Sequence, residues 1–115
     1  MKKNTQITLN VTLDENNNPI QMTWSAPDGG IENYDMDAFF LSTWNKTNQE
    51  TSRIDLWIKK MPIDQMHVFT HQTLVGIKES YFKATEDKKM LNAFEQFCNY
   101  FEKEKKLKRL SKKFK

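Results

Sequence analysis

The sequence predicts an α+β domain. The expected architecture is a four-stranded antiparallel sheet of two hairpins, with two C-terminal antiparallel helices packed on one face, in the order ββββαα. Apolar residues alternate with polar ones in separate segments before residue 60, and after Pro62 they recur with the 3.6-residue period of a helix. Gly and Pro number only three each among 115 residues, which favours long regular elements and few loops. We therefore expect a single α+β domain over residues 1–102 and a basic tail over residues 103–115.

The first hairpin is predicted from two alternating segments around a polar turn. ITLNVTL (residues 7–13) alternates apolar and polar side chains, DENNNP forms a turn cluster, and IQMTW (20–24) alternates again. The segment that follows, SAPDGGIENYDMD (25–37), is acidic and is predicted to be an irregular connection.

The second hairpin is predicted from AFFLSTW (38–44) and TSRIDLWIKK (51–60), which flank a short polar turn. A helix over residues 35–45 is the alternative, because Met36, Phe39, Phe40 and Trp44 also fit a helical spacing. The strand is favoured, since Thr, Trp and two Phe residues are typical of strands and a polar turn leads into a strong second strand.

Two helices are predicted after Pro62, which is well placed near a helix start. Asp64 lies in the first turn, where a carboxylate interacts favourably with the positive end of the helix dipole. The segment ATED (84–87) breaks the helical pattern, and such a short break implies an antiparallel helical hairpin. The apolar stripe of the first helix is Met66, Phe69, Thr73, Leu74, Ile77 and Tyr81, and that of the second is Met90, Leu91, Phe94, Phe97, Cys98 and Phe101.

Charge is distributed unevenly along the chain. Residues 103–115 carry a net charge of +7, and subtracting this from the total of +3 leaves −4 for residues 1–102. There is no apolar run of the length needed to span a membrane and no secretory signal pattern. The single cysteine, Cys98, has no partner for an internal disulfide and is predicted to be a small buried side chain. These features predict a cytoplasmic protein.

The strongest candidate site is one face of the strand TSRIDLWIKK. Alternation directs Ile54, Leu56 and Ile58 to one face and Arg53, Asp55 and Trp57 to the other. On the neighbouring strand, either the set Phe39/Leu41/Thr43 or the set Phe40/Ser42/Trp44 shares the second face. Aromatic residues mixed with Arg are typical of protein interfaces, although cross-strand aromatic pairs also stabilise exposed sheets. The predicted protein interface, self-association included, consists of Phe40, Trp44, Arg53, Asp55 and Trp57.

A second candidate is a metal site on the first helix. Asp64, His67 and His71 are three and four residues apart, so all three project from one helical face, and two imidazoles with a carboxylate suit a divalent metal. The alternative is a solvated helix face. No phosphate-binding loop, nucleophile elbow or other catalytic constellation is present in the sequence, so we expect no enzyme and no cofactor.

The basic tail is the third candidate. A helix here would show an apolar stripe of Leu107, Leu110 and Phe114 on a cationic body, which is typical of contact with an anionic membrane, an acidic partner or nucleic acid without sequence specificity. The alternative is a solvated terminus. The cationic residues singled out are Lys105, Lys106, Lys108, Arg109, Lys112 and Lys113.

Several segments in the same order resemble the GldC family of gliding-motility proteins. They are TLDENNNPIQMTWSAPDGG (12–30), FLSTW (40–44), RIDLWIKKMPIDQM (53–66), HQTL (71–74) and FKATEDKKMLNAFEQFCNYF (82–101). The resemblance implies a small cytoplasmic accessory protein of the gliding apparatus, which is linked to the type IX secretion system. Its partners would be other gliding-motility proteins, and no enzymatic activity is implied.

Together these observations predict a non-enzymatic interaction protein that contacts its partners, and a second copy of itself, through the outer face of the sheet. The alternative is a chaperone module, because the order ββββαα is also the plan of the SecB export chaperone. A metal-binding protein that uses Asp64, His67 and His71 is a further alternative.

Overall fold

The computed structural model describes residues 2–107. The chain forms two compact units: a strand unit that ends at Met61 and a helix unit that begins at Pro62. In the described residues, five β-strands are followed by two α-helices, and a short 3₁₀ turn lies between the second and third strands. The α+β class with two helices after the strands is therefore confirmed, while the packing of the helices on a sheet face stays a prediction.

The first sheet contains three antiparallel strands in the order β1-β2-β3: β1 spans Thr8–Leu13, β2 spans Pro19–Ala26 and β3 spans Ile31–Met36. The turn from β1 to β2 is organised by Asp14, because its Oδ1 accepts hydrogen bonds from the amides of Asn16 (2.8 Å) and Asn18 (2.9 Å). Such side-chain acceptors are the reason that Asp and Asn favour turns. The predicted first hairpin is confirmed.

Strand β3 corrects the prediction of an irregular segment over residues 25–37. A 3₁₀ turn at Pro27–Gly29 and a left-handed Gly30 (φ 76°) reverse the chain, which then pairs with β2. A residue with a Cβ is disfavoured at this φ, so glycine is the natural choice. Tyr34 and Met36 do alternate with polar residues, but the acidic neighbours have low β-propensity and hide this pattern.

The second sheet is the hairpin of β4 (Ala38–Asn45) and β5 (Glu50–Trp57), paired from Ala38↔Trp57 to Asn45↔Glu50. The preference for a strand over a helix in residues 38–44 is confirmed. The prediction of one four-stranded sheet is wrong, because the strands divide into a three-stranded and a two-stranded sheet. Only Asp37 separates β3 from β4, and its carbonyl accepts a hydrogen bond from the Ile58 amide at 2.9 Å.

The three-stranded sheet has one apolar and one polar face. Cross-strand pairing aligns Val11, Met22 and Met36 in one row of the apolar face. Met22, in the central strand, is only 1 % exposed and is the most deeply buried side chain of the strand unit. Such alternation is usual for antiparallel sheets that bury one face.

The helix unit is an antiparallel hairpin of α1 (Ile63–Thr85) and α2 (Lys88–Glu104), as the sequence predicts. Glu86 ends α1 in the left-handed conformation (φ 55°), and its amide donates to the Phe82 carbonyl at 2.7 Å. Asp87 then caps α2, because its side chain accepts a hydrogen bond from the Met90 amide at 3.0 Å. The predicted break at residues 84–87 is therefore made by two residues with separate roles.

Side chains from both helices meet inside this hairpin. The Tyr81 and Phe94 rings lie 5.6 Å apart, and the His71 ring stacks on Phe101 at 5.8 Å. Cys98 is only 3 % exposed, so the prediction that it is a small buried side chain is confirmed. Burial raises the pKa of the Cys98 thiol, which keeps it protonated and unreactive near neutral pH.

Helix α2 ends in a Schellman motif. Lys106 adopts a left-handed conformation (φ 52°), its amide donates to Lys103 at 3.2 Å, and the Leu107 amide donates to Glu102 at 2.9 Å. These bonds satisfy carbonyls that the end of a helix otherwise leaves without partners. The helix therefore extends two residues into the predicted tail and then stops.

We expect Asp87→Ala to lower the free energy of unfolding of the helix unit by about 1–2 kcal/mol, because the change removes an N-cap. It also removes the Oδ2 acceptor of the Tyr81 hydroxyl, 3.3 Å away. Urea denaturation followed by far-UV circular dichroism measures the effect. Asp87→Asn keeps a capping oxygen and should lower the free energy of unfolding by less. An unchanged urea midpoint for Asp87→Ala would contradict the role of Asp87 as an N-cap.

Candidate protein-binding site

One face of the β4–β5 hairpin gathers all five residues of the predicted interface. Cross-strand pairing places Phe40 opposite Asp55 and Ser42 opposite Arg53. Trp44 lies opposite Thr51 and Trp57 opposite Ala38, and all these positions share one face because side chains alternate along each strand. Of the two sets left open by the sequence, Phe40/Ser42/Trp44 is the one on this face. We call the group of Phe40, Trp44, Arg53, Asp55 and Trp57 the aromatic face.

The two tryptophans make the aromatic face unusual. Trp44 is 65 % exposed and Trp57 is 51 % exposed, although both are large apolar side chains. Burying an aromatic side chain removes a large apolar area from water, so leaving two exposed forgoes substantial stabilisation. Exposed aromatic residues next to an Arg are the composition enriched at the centres of protein interfaces.

Charge on the aromatic face is concentrated in Arg53 and Asp55. The Arg53 guanidinium donates to Asp55 Oδ2, and the two side chains form an ion pair within one strand. The other carboxylate oxygen, Asp55 Oδ1, is buried and has no hydrogen-bond partner in the part of the chain that the structure describes. An acceptor buried without a donor is costly, so a donor supplied from outside would stabilise it.

The turn after β4 holds Trp44 in place. Asn45 Oδ1 accepts hydrogen bonds from the amides of Thr47 (2.9 Å) and Asn48 (3.2 Å), and Gln49 takes a left-handed conformation (φ 58°). The four-residue loop thereby fixes the register of the hairpin. This register is what puts Trp44 and Trp57 on the same face.

The hairpin also exposes apolar side chains on its opposite face, where Leu41 and Ile54 are paired across the strands. A two-stranded hairpin is at best marginally stable in water without further strands or a covering layer. Both faces therefore show apolar surface that a bound protein could cover.

The three candidate metal ligands on α1 are not arranged as a metal site in the structure. His71 Nε2 lies 3.1 Å from the carbonyl oxygen of Cys98, so its ring is engaged with α2. Among residues 2–107, no group of three or more His, Cys, Asp or Glu side chains is arranged to hold a metal ion. Asp64, His67 and His71 therefore share a helix but are not brought together as ligands.

The basic tail lies largely beyond the described residues. Lys105 and Lys106 belong to the Schellman motif at the end of α2. Lys108, Arg109, Lys112 and Lys113 lie outside residues 2–107. Contact of this tail with a membrane stays a prediction.

Comparison with protein families gives one decisive result. The model of the family described as gliding motility-associated protein GldC-like matches residues 19–107, well over half of the chain. The chain belongs to the GldC-like family. The resemblance seen in the sequence is confirmed, and it associates the chain with gliding motility. A comparison with curated proteins and one with solved structures each gave no significant match.

The GldC-like match begins at the first residue of β2 and runs to the end of the Schellman motif at Leu107. It therefore includes the whole aromatic face and both helices, and it leaves out β1. Neither helix of residues 2–107 combines the length and apolarity that a membrane crossing requires.

Sequence reasoning missed one surface feature of this GldC-like chain, a groove of about 430 Å³ in the strand unit. Its walls include Asp14 and Asn18 from the β1–β2 turn and Lys59 and Lys60 from the segment after β5. The Asn18 amide, more than any other group, holds the pKa of Asp14 below its ordinary value, and Lys59 adds to this effect. No sequence signal marks the groove, because it joins segments more than forty residues apart.

Proposed function

We propose that this protein is a non-enzymatic accessory factor of the gliding-motility apparatus that works by binding another protein through the aromatic face. Membership of the GldC-like family supports the association with gliding motility. The observation that carries the binding role is the exposure of Trp44 and Trp57 on one face of a two-stranded hairpin. A cytoplasmic location, a link to type IX secretion and self-association are part of the proposal.

The chemistry of the aromatic face favours a protein as its ligand. Trp and Arg are enriched among the few residues that supply most of the binding energy in protein complexes. Two exposed indoles offer apolar area, and the Arg53–Asp55 pair between them adds polar groups that can fix orientation. Exposed side chains on a two-stranded hairpin suit a protein better than a small molecule, which prefers a concave pocket.

The chaperone alternative loses the support it drew from the order of elements. That analogy rested on ββββαα, whereas five strands precede the helices and divide into two sheets. The accessory role depends on the aromatic face and the family, and both are independent of the number of strands.

We expect Trp57→Asp to weaken partner binding about thirtyfold or more, because loss of a tryptophan that anchors an interface costs about 2 kcal/mol or more. The measurement is affinity capture from the native cell with the tagged chain as bait. Gliding-motility proteins identified by mass spectrometry should be recovered with the unaltered chain and lost with Trp57→Asp. Gliding of cells that carry the variant should fall in parallel.

Tyr34→Asp is the matched control, since Tyr34 is a comparably exposed aromatic residue on the three-stranded sheet. This variant should capture the same proteins as the unaltered chain. If Trp57→Asp retained every gliding-motility partner while keeping its fold, the aromatic face would not be the binding site.

A further inference from the structure

Strand β5 is an edge strand. Its only strand partner in residues 2–107 is β4, so its other edge is unpaired. A free edge presents a row of amide and carbonyl groups that template pairing with another strand. Natural proteins often block such edges with proline, bulges or lysine, and the eight residues ETSRIDLW contain no proline and no lysine and pair with β4 without a bulge.

The pattern of hydrogen bonds between β4 and β5 identifies which backbone amides and carbonyls of β5 face its unpaired edge. The amide of Ile58 donates to the carbonyl of Asp37, so these opposed residues form a hydrogen-bonded pair. Hydrogen-bonded and non-hydrogen-bonded pairs alternate in an antiparallel ladder, so Leu56, Ile54 and Ser52 also direct their backbone groups toward β4. The outward-facing amides and carbonyls therefore belong to Thr51, Arg53, Asp55 and Trp57.

Charge selects a register if this edge pairs with the same edge of a second copy. Antiparallel pairing about Arg53 would oppose two guanidinium groups, and pairing about Asp55 would oppose two carboxylates. A two-fold axis at Ile54 instead places Arg53 opposite the second copy's Asp55, and Asp55 opposite the second copy's Arg53. Opposite charges directly across strands stabilise a sheet, whereas like charges destabilise it.

We propose that β5 pairs antiparallel with β5 of a second copy of this chain about a two-fold axis at Ile54. This extends the proposed function, because it assigns a structure to self-association and leaves the accessory role to other partners. The two hairpins then form one four-stranded sheet, which removes the weakness of an isolated pair of strands. The contact is isologous, as the interface of a symmetric dimer must be.

Two details of the aromatic face agree with this arrangement. Asp55 Oδ1 is buried without a donor in the described chain, and the second copy's Arg53 lies directly across from it in this register. Thr51 lies between Trp44 and the second copy's Trp57, because Trp44 pairs with Thr51 in the hairpin and Thr51 opposes Trp57 across the axis. The aromatic faces of the two copies therefore join into one continuous surface.

A cysteine at the axis tests the register. Ile54 opposes itself in a non-hydrogen-bonded pair, where Cα atoms lie about 4.5 Å apart, within reach of a disulfide. Mild oxidation of the purified full chain carrying Ile54→Cys should give a covalent dimer on non-reducing gels. Ser52→Cys is the matched control on the same strand and side-chain face, and its two copies would lie about 13 Å apart, too far to bridge.

Charge exchange provides a second test that needs no cysteine. Arg53→Asp alone and Asp55→Arg alone should each weaken dimerisation about tenfold or more, measured by sedimentation velocity. An equimolar mixture of the two variants should recover the dimer, because every opposed pair then carries opposite charges. Circular dichroism of each variant checks that the fold is retained.

The outcomes separate the two proposals. A monomeric unaltered chain, equal cross-linking of the two cysteine variants, or no recovery in the mixture would overturn the β5 pairing. Capture of gliding-motility partners by a monomeric chain would leave the accessory function standing. A dimer that captures none of them would overturn that function and leave the pairing in place.

Discussion

We expect Met22→Ala to lower the free energy of unfolding of the strand unit by about 2–5 kcal/mol, the range for truncating a buried Met to Ala. Met22 is 1 % exposed and lies between Val11 and Met36 in the central strand of its sheet. Truncation of its side chain leaves a cavity that the surrounding structure closes only in part. Since a small domain has only about 5–15 kcal/mol of stability, the loss is a large fraction of the total.

The measurement is urea denaturation followed by tryptophan fluorescence. All three tryptophans, Trp24, Trp44 and Trp57, belong to the strand unit, so the signal reports on that unit directly. Met22→Leu conserves volume and should cost less than about 1.5 kcal/mol. A Met22→Ala midpoint equal to that of the unaltered chain would mean that the apolar face does not stabilise the sheet.

The second large effect is expected in the helix unit, where Phe94→Ala should cost about 3 kcal/mol. The Phe94 ring lies 5.6 Å from the Tyr81 ring and so joins α2 to α1. Aromatic pairs of this kind add about 0.5–1.5 kcal/mol to the burial of the rings themselves. The figure is at the lower end for Phe truncations because Phe94 is half-buried.

Far-UV circular dichroism during urea denaturation follows this transition, since both helices belong to the helix unit. Phe97→Ala is the matched control, because Phe97 lies on the same helix and is half exposed. Phe97→Ala should lower the free energy of unfolding by about 1 kcal/mol, as expected for a ring that buries less area. Equal effects of the two substitutions would show that the Tyr81–Phe94 contact has no special weight.

The sequence was sufficient wherever one periodicity dominated. Alternation predicted β1, β2, β4 and β5, and the 3.6-residue period predicted both helices, since each of these elements has a distinct apolar face. Strand β3 was missed because Glu32, Asn33 and Asp35 have low strand propensity, and pairing with β2 overrides that preference. The first sheet ends and the second begins on either side of Asp37, and no residue pattern in the sequence marks this boundary.

The members of the aromatic face could be predicted only in part. Arg53, Asp55 and Trp57 follow from alternation within one strand. Phe39 and Phe40 are both aromatic, so the sequence did not show which of them shares a face with Arg53, Asp55 and Trp57. The hairpin register places Phe40 on that face. The predicted metal ligands Asp64, His67 and His71 show what spacing along a helix leaves out. It did not reveal that His71 faces the Cys98 carbonyl, 27 residues away in the sequence.

The Schellman motif at the end of α2 makes the helix independent of whatever sequence follows it. Its donors are the amides of Lys106 and Leu107, so a chain that ends at Leu107 retains every bond that closes the helix. A chain cut after Glu104 would lose both donors and fray. The GldC-like match ends at this same residue, Leu107. Segments after Leu107 can therefore be exchanged, lengthened or fused to a reporter at no cost to this helix end.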